Sequence, residues 1–333
     1  MKINAARPRL IIALCLSLVF LNASGQVTFL VDNFSKDYFG KLFIKDTSEV
    51  FSPGWVAVYD SKTKKQLIKV ESEELTFELH DGKPVANIKQ LPYGEQSQIM
   101  YEDYNFDGKK DFAIMDGQNS CYHGPSFQIY LATAKGFEFS EPFTQLAQEY
   151  CGMFNVDHKE KKLYTMTKDG CCWHQFSEYV VKNNVPVAVK IVEEGVNAAG
   201  VAFDYTEKNL VNGKMVGTNY SMLAAEEIKD SVLFSFEFVN KKKVRLFTFN
   251  GHLYYAFTDK EDKIELLYDG QFHYSRKDNA LWFKNEKVTY RITGNGLSAI
   301  TPKGTFDMKA VGTSVQGSIQ RIMSSNPDNL LQE

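Results

Sequence analysis

The sequence predicts an all-β protein: an N-terminal domain of short strands with a calcium loop, followed by a β-sheet-rich C-terminal domain. Three observations predict it. Apolar and polar residues alternate with period two along much of the chain, and helical periodicity is weak. Aromatic residues are abundant, with 25 Phe, 17 Tyr and 3 Trp, as half-buried pleated surfaces favour. One acidic loop, Asp103 to Asp111, opens directly into the apolar run Phe112-Ala113-Ile114-Met115 rather than into a helix.

Residues 1–25 read as a signal peptide. Lys2, Arg7 and Arg9 form a charged start, Leu10 to Leu21 an apolar stretch, and Ala23-Ser24-Gly25 a small-residue site before Gln26. Cleavage is predicted after Gly25. The apolar stretch is short for a membrane span. Leu14 precedes Cys15 where a lipoprotein signal needs a small residue. Losing these 25 residues and their three positive charges leaves 308 residues with a formal charge of −6. The expectation is a periplasmic or secreted protein with no stable membrane insertion after cleavage. The lack of a basic cluster argues against nucleic acid as a partner.

Residues 26–192 read as a domain of short strands separated by turns. The strands expected are Gln66–Val70, Val85–Lys89, Gln98–Tyr101, Phe112–Met115, Phe127–Ala132, Met153–Val156, Lys162–Thr167 and Gln175–Val181. Lys182-Asn183-Asn184-Val185 is a hairpin turn into Pro186–Ile191. Short strands at near-regular spacing suit a barrel, a sandwich or a small propeller. Residues 193–230 read as a linker, with Gly195, Gly200, Gly213 and Gly217 and one short helix from Ser221 to Ile228. Residues 231–312 form the second β domain, with strands Val232–Val239, Val244–Phe249, Leu253–Thr258, Lys263–Tyr268, Ala280–Lys284 and Lys287–Thr293. Residues 313–333 read as a polar tail with one short helix and a frayed end.

The acidic loop has the spacing of a calcium site. Asp103, Asn105 and Asp107 occupy alternate positions, Gly108 allows the sharp turn, the Lys109 carbonyl follows, and Asp111 comes two residues later. Hard oxygen donors at alternate positions converge only if the chain curls around an ion. An EF-hand would then supply a bidentate Glu, but Ile114 stands there. The reading is therefore a calcium-stapled β turn, not a helical sensor, with Asp116 a weaker additional ligand. The alternative is an Asx-rich turn with no ion.

Four cysteines remain in the exported chain: Cys121, Cys151, Cys171 and Cys172. An oxidising compartment makes disulfides the expectation. A vicinal Cys171-Cys172 bridge and two separate bridges to Cys121 and Cys151 both remain open. A zinc site from Cys171, Cys172 and His174 has the wrong spacing for a structural knuckle.

Four blocks carry a resemblance. They are Asp103-Tyr104-Asn105-Phe106-Asp107-Gly108 with Asp111, Tyr122-His123-Gly124-Pro125-Ser126-Phe127, Gly152-Met153-Phe154-Asn155-Val156-Asp157, and Lys168-Asp169-Gly170-Cys171-Cys172-Trp173-His174-Gln175. From about residue 86 to 190 the chain resembles the periplasmic calcium-binding immunity proteins that xanthomonads carry beside lysozyme-like effectors of an antibacterial type IV secretion system. Those are β-propeller proteins related in shape to the periplasmic inhibitor of invertebrate-type lysozyme, and the resemblance implies a small β-propeller-like domain over residues 26–192. The resemblance implies inhibition, with calcium holding a loop that enters a glycosidase cleft and blocks its paired carboxylates. The loop here is Asn119 to Gly124, with Ser120, Tyr122, His123 and Gly124 as partner-binding residues. Tyr122 would fill a sugar subsite and hydrogen-bond a carboxylate. The partner is a lysozyme-like hydrolase or another exported protein, and the chain is not an enzyme. No catalytic motif such as G-x-S-x-G or H-E-x-x-H occurs. The alternatives are a carbohydrate-binding or cell-surface interaction module, and a Tyr122 that is simply a sheet aromatic. The module after Asp230 departs from the resemblance.

Overall fold

The computed structural model describes residues 25–332, so the predicted signal peptide lies outside the described residues apart from Gly25. The first sheet is a meander of β1 (Val27–Val31), β2 (Tyr38–Ile44), β3 (Ser52–Asp60) and β4 (Gln66–Leu75). The second is β5 (Ile99–Glu102), β6 (Asp111–Ser120), β7 (Gly124–Thr133) and β8 (Gly136–Phe139), followed by helix α1 (Glu141–Gln148). The third has six strands in chain order: β9 (Asn155–Asp157), β10 (Lys162–Asp169), β11 (Trp173–Lys182), β12 (Val185–Val196), β13 (Ala202–Val211) and β14 (Lys214–Leu223). Each strand pairs antiparallel with its sequence neighbour, so every connection within a sheet is a hairpin.

After the short helix α2 (Ala225–Ile228) come two further sheets. One joins β15 (Val232–Glu237), β16 (Lys243–Phe249), β17 (His252–Thr258) and β18 (Ile264–Tyr268). The other joins β19 (Phe272–Ser275), β20 (Ala280–Asn285), β21 (Val288–Thr293), β22 (Gly296–Thr301) and β23 (Gly304–Lys309). The C-terminal residues complete both. β24 (Gln316–Gly317) pairs with β15, and after α3 (Ile319–Ser325), β25 (Leu330–Gln332) runs parallel to β19.

Alternation along the strands builds two main cores. One draws on the first three sheets, from Val31 and Leu42 through Phe112 and Phe127 to Leu163 and Tyr179. The other joins Phe234, Phe236, Tyr255, Phe272 and Phe283 to Ile319 and Ile322 of α3. A smaller cluster of Val201, Leu223, Ile228, Phe247, Tyr254 and Ala256 bridges them. The bridge is reinforced by the Leu223 N–H, which donates to the Asp262 carbonyl at 2.9 Å.

Four expectations are corrected. Residues 193–230 are mostly strand: β12 runs on to Val196, and β13 and β14 form a long hairpin across Asn212-Gly213. Both of those residues have positive φ, 50° and 79°, the requirement of a two-residue turn that matches strand twist. The expected helix from Ser221 shrinks to Ala225–Ile228, because Ser221 to Leu223 belong to β14. The polar tail is not frayed, since Ile319 and Ile322 are buried and the chain ends in a paired strand. Val85–Lys89 is not a strand either. It lies in the loop between β4 and β5, where Ser97 Oγ donates to the Val85 carbonyl at 2.5 Å and accepts from the Ile88 N–H at 2.9 Å. Asn87 at φ 69° breaks the extended run there.

Candidate functional site

The acidic loop joins β5 to β6. At its end Phe112, fully buried, is ringed by Phe34, Tyr38, Tyr101 and Phe137 at centroid distances of 4.6–6.1 Å. That aromatic cluster anchors the C-terminal side of the loop. Within the loop the predicted ligands turn inward and cap its own amides. Asp103 accepts from the N–H groups of Asp107 at 3.2 Å and Gly108 at 2.9 Å. Asn105 Oδ1 accepts from the Asp107 N–H at 3.2 Å, and Asp107 Oδ1 from the Lys109 N–H at 2.8 Å. Phe106 and Gly108 take positive φ, 62° and 88°.

Asp111 is fully buried and accepts from the N–H groups of Tyr104 and Ala132, both at 2.8 Å. Burial pushes its carboxyl up to about 6; those two hydrogen bonds oppose the shift, and the charges of Asp103 and Asp107 add to it. The donor set fits calcium in type and order, being oxygen throughout, and a buried carboxylate beside two others is the charge that a dication offsets. Among the described residues, however, the carboxylates of Asp103, Asp107 and Asp111 do not gather within 4.8 Å of one another. Asp116 faces elsewhere, accepting from Ser126 Oγ and Gln148 Nε2, both at 2.5 Å, and is no part of the loop.

The loop is tied to the third sheet. Asn105 Nδ2 donates to Asn184 Oδ1 at 3.1 Å, at the tip of the β11–β12 hairpin. Phe106 meets the edge of His158 at 6.0 Å, and His158 sits 3.0 Å from Glu102.

The β6–β7 connection is a single 3₁₀ turn, Cys121–His123. Tyr122 and His123 both have left-handed backbones, with φ of 53° and 59°, a costly conformation for residues with a Cβ. A disulfide from Cys121 to Cys151 holds the turn from below. Ser120, buried, accepts from the Gly152 N–H at 3.2 Å. Gly124 closes the turn because a Cβ there would meet Ser120 Oγ at 2.9 Å and the Cys121 carbonyl at 3.1 Å. His123 pairs with Glu74 at 3.1 Å and packs on Phe51.

Tyr122 stands 60% exposed. Its hydroxyl accepts from the Gly170 N–H at 2.5 Å, and Lys168 Nζ lies 4.9 Å from its ring and 4.7 Å from that of Tyr93. Cys171 and Cys172 are bonded to each other, so the vicinal pairing holds and neither thiol is available to zinc. His174 pairs instead with Glu194 at 3.3 Å.

All four expected partner-binding residues line one cavity of about 650 Å³. Its walls include Phe51, Phe77 and Tyr93, and its polar lining includes the buried Gln96, Gln98 and Gln118. Sequence reading missed Phe51, Tyr93 and Lys168, which come from three separate loops and strands. The Pro92-Tyr93-Gly94 turn was the one local signal.

These features define an all-β protein of successive sheets, antiparallel except for the β19–β25 pair, with two disulfides. Bridges of this kind fit an oxidising compartment, and no helix among the described residues is long and apolar enough to cross a membrane. No protein-family model matches the chain, and neither does any curated protein. Among solved structures it is similar to a Xanthomonas type IV secretion system related protein. The identity is 23% and the TM-score 0.46, over 60% of this chain and 95% of that one. It also aligns loosely with prolyl oligopeptidase B from Galerina marginata, at 8% identity and a TM-score of 0.25, over 90% of this chain and 44% of that one. Similarity at this level assigns no function.

Proposed function

We propose that the chain is an exported, non-catalytic calcium-binding protein that inhibits a lysozyme-like peptidoglycan hydrolase through the Tyr122 turn. The observation that carries this reading is the pair of left-handed residues Tyr122 and His123, locked by a disulfide and exposed at a cavity rim. Strain of that kind persists only where surrounding structure enforces it, and it clusters at functional sites. A rim so held binds with little ordering cost. The Tyr122 hydroxyl accepts from Gly170, which leaves its own proton free to donate to a catalytic carboxylate. Calcium in the Asp103–Asp111 loop would neutralise the acidic cluster and stiffen the start of β6, which runs to Ser120. The three sheets around the first core would be blades of a small propeller that presents this turn.

A second reading has its own support. Aromatic walls with buried amide side chains suit a neutral sugar, so a carbohydrate-binding or cell-surface interaction module is the alternative. Purified protein titrated against a panel of lysozyme-type muramidases separates the two. Inhibition of at least one member, lost in Tyr122→Ala while the fold persists, is the expected result. Intrinsic peptidoglycan hydrolysis would sink both readings. Glycan retention with no effect on any muramidase would favour the module.

A further inference from the structure

The loop between β4 and β5 gathers a second set of metal-ligating side chains, none of them shared with the acidic loop. Glu78, His80 and Glu95 bring one ligand atom each to within 4.8 Å of one another. His80 Nε2 lies 2.8 and 3.0 Å from the two oxygens of Glu95, whose side chain is only 14% exposed. Two tight turns aim the group. His80 and Lys83 exchange backbone hydrogen bonds of 2.8 and 3.1 Å across Asp81-Gly82, and the Gln90 N–H donates to the Glu95 carbonyl at 2.8 Å.

We propose that Glu78, His80 and Glu95 bind a divalent metal ion of the zinc class, with an open coordination position turned toward the 650 Å³ cavity. A neutral imidazole and two carboxylates together carry two negative charges, which match a dication. A His80–Glu95 ion pair by itself would leave the Glu78 carboxylate crowded against a second carboxylate. The nitrogen donor sets this group apart from the all-oxygen loop, because imidazole suits zinc and its neighbours whereas calcium and magnesium take oxygen. Three protein ligands fill three of zinc's four tetrahedral positions.

The cavity is the independent observation. Glu78 and Glu95 both line it, so the unfilled side of the group opens onto space for water or a ligand. Gln96, next in the chain, lines the same cavity, is 4% exposed and accepts from the Met153 N–H at 2.9 Å, which fixes the segment that carries Glu95. A cavity that opens beside a metal-ligating trio leaves room for the remaining coordination position to be filled by water or a ligand. The proposal stands on these residues and not on the inhibitor reading.

The test is calorimetric titration of the full chain with zinc chloride, with calcium present throughout to occupy the acidic loop. One zinc per chain is expected for the wild type, together with a zinc-dependent rise in melting temperature. His80→Ala and Glu95→Gln should lose both effects, and so should Glu78→Gln, a change at an exposed position that spares the fold. Asp107→Ala and His158→Ala, the latter removing the His158–Glu102 pair, should retain zinc. A wild type that takes up no zinc would overturn the proposal. So would undiminished uptake by His80→Ala, or loss of uptake in His158→Ala.

Discussion

The backbone N–H of Gly170 donates to the hydroxyl of Tyr122 at 2.5 Å, across 48 residues of chain. This contact ties the turn held by the Cys121–Cys151 bridge to the turn that carries the Cys171–Cys172 bridge. Lys168, between the rings of Tyr93 and Tyr122, closes the same corner. An exposed aromatic would ordinarily sample several rotamers; here its tip, its ring and its backbone are each constrained.

Tyr122→Phe should separate the ring from its hydroxyl. The variant keeps the apolar anchor and loses both the Gly170 contact and the proton offered to a partner. Thermal stability should change by less than about 1 kcal/mol, the usual worth of an exposed neutral hydrogen bond, while muramidase inhibition weakens about tenfold, as loss of one well-placed hydrogen bond implies. Inhibition equal to wild type would show that the hydroxyl does not contact the partner.

The paired change Cys121→Ser and Cys151→Ser removes a bridge that closes a 30-residue loop. Denaturant melts should show a loss of about 3 kcal/mol from the freed unfolded chain. Inhibition should fall further than that loss of folded protein explains, because the Tyr122 turn also loses its anchor.

Chelation by EGTA should lower the melting temperature by several degrees, because an ion bound only by the native state stabilises it by mass action. Asp107→Ala should melt like the chelated wild type and be insensitive to EGTA. A calcium-independent melt of the wild type would leave the loop as an Asx turn.

Acid sensitivity should be traceable to Asp262 where the two cores meet. Burial raises its carboxyl, but hydrogen bonds from Arg245 at 2.8 Å and Lys243 at 3.0 Å outweigh that and hold it below its ordinary value. A depressed folded pKa stabilises above the unfolded value of 3.8, and the gain disappears as pH falls through the folded one. Urea melts at pH 7 should show Asp262→Asn less stable by about 2 kcal/mol, the scale of hydrogen bonds to a charged group. The gap between variant and wild type should narrow below pH 4, the window set by that value. A gap independent of pH would assign the loss to packing.

Much of the architecture was legible where local chemistry acts alone. Period-two alternation marked most strands from Phe112 onward, and Asn183-Asn184 marked a hairpin because both backbones adopt positive φ there. The first sheet went largely unread. Tyr38–Ile44 and Ser52–Asp60 are apolar on both faces: Phe43 stacks on Trp55 and Phe39 on Tyr59 on one face, while Leu42, Ile44, Val56 and Val58 are buried on the other, and this blurs the alternation. Glycines at 195, 200, 213 and 217 suggested a linker, but strands β12 to β14 absorb three of those segments because Gly213 sits in a turn and Gly195 and Gly217 are paired within strands.

By itself the sequence determined the all-β class, the oxygen-rich loop from Asp103 to Asp111 and the four cysteines. Each of these is written in residues close together in the chain. Tertiary structure alone decided which cysteines bond, that Asp111 is buried with both oxygens engaged, and that Tyr122 meets Gly170. It also decided that Glu78, His80 and Glu95 converge on a cavity shared with Tyr122. The Cys121–Cys151 bridge, the Tyr122–Gly170 contact and the shared cavity depend on segments tens of residues apart, and such contacts are set by how sheets pack rather than by local spacing.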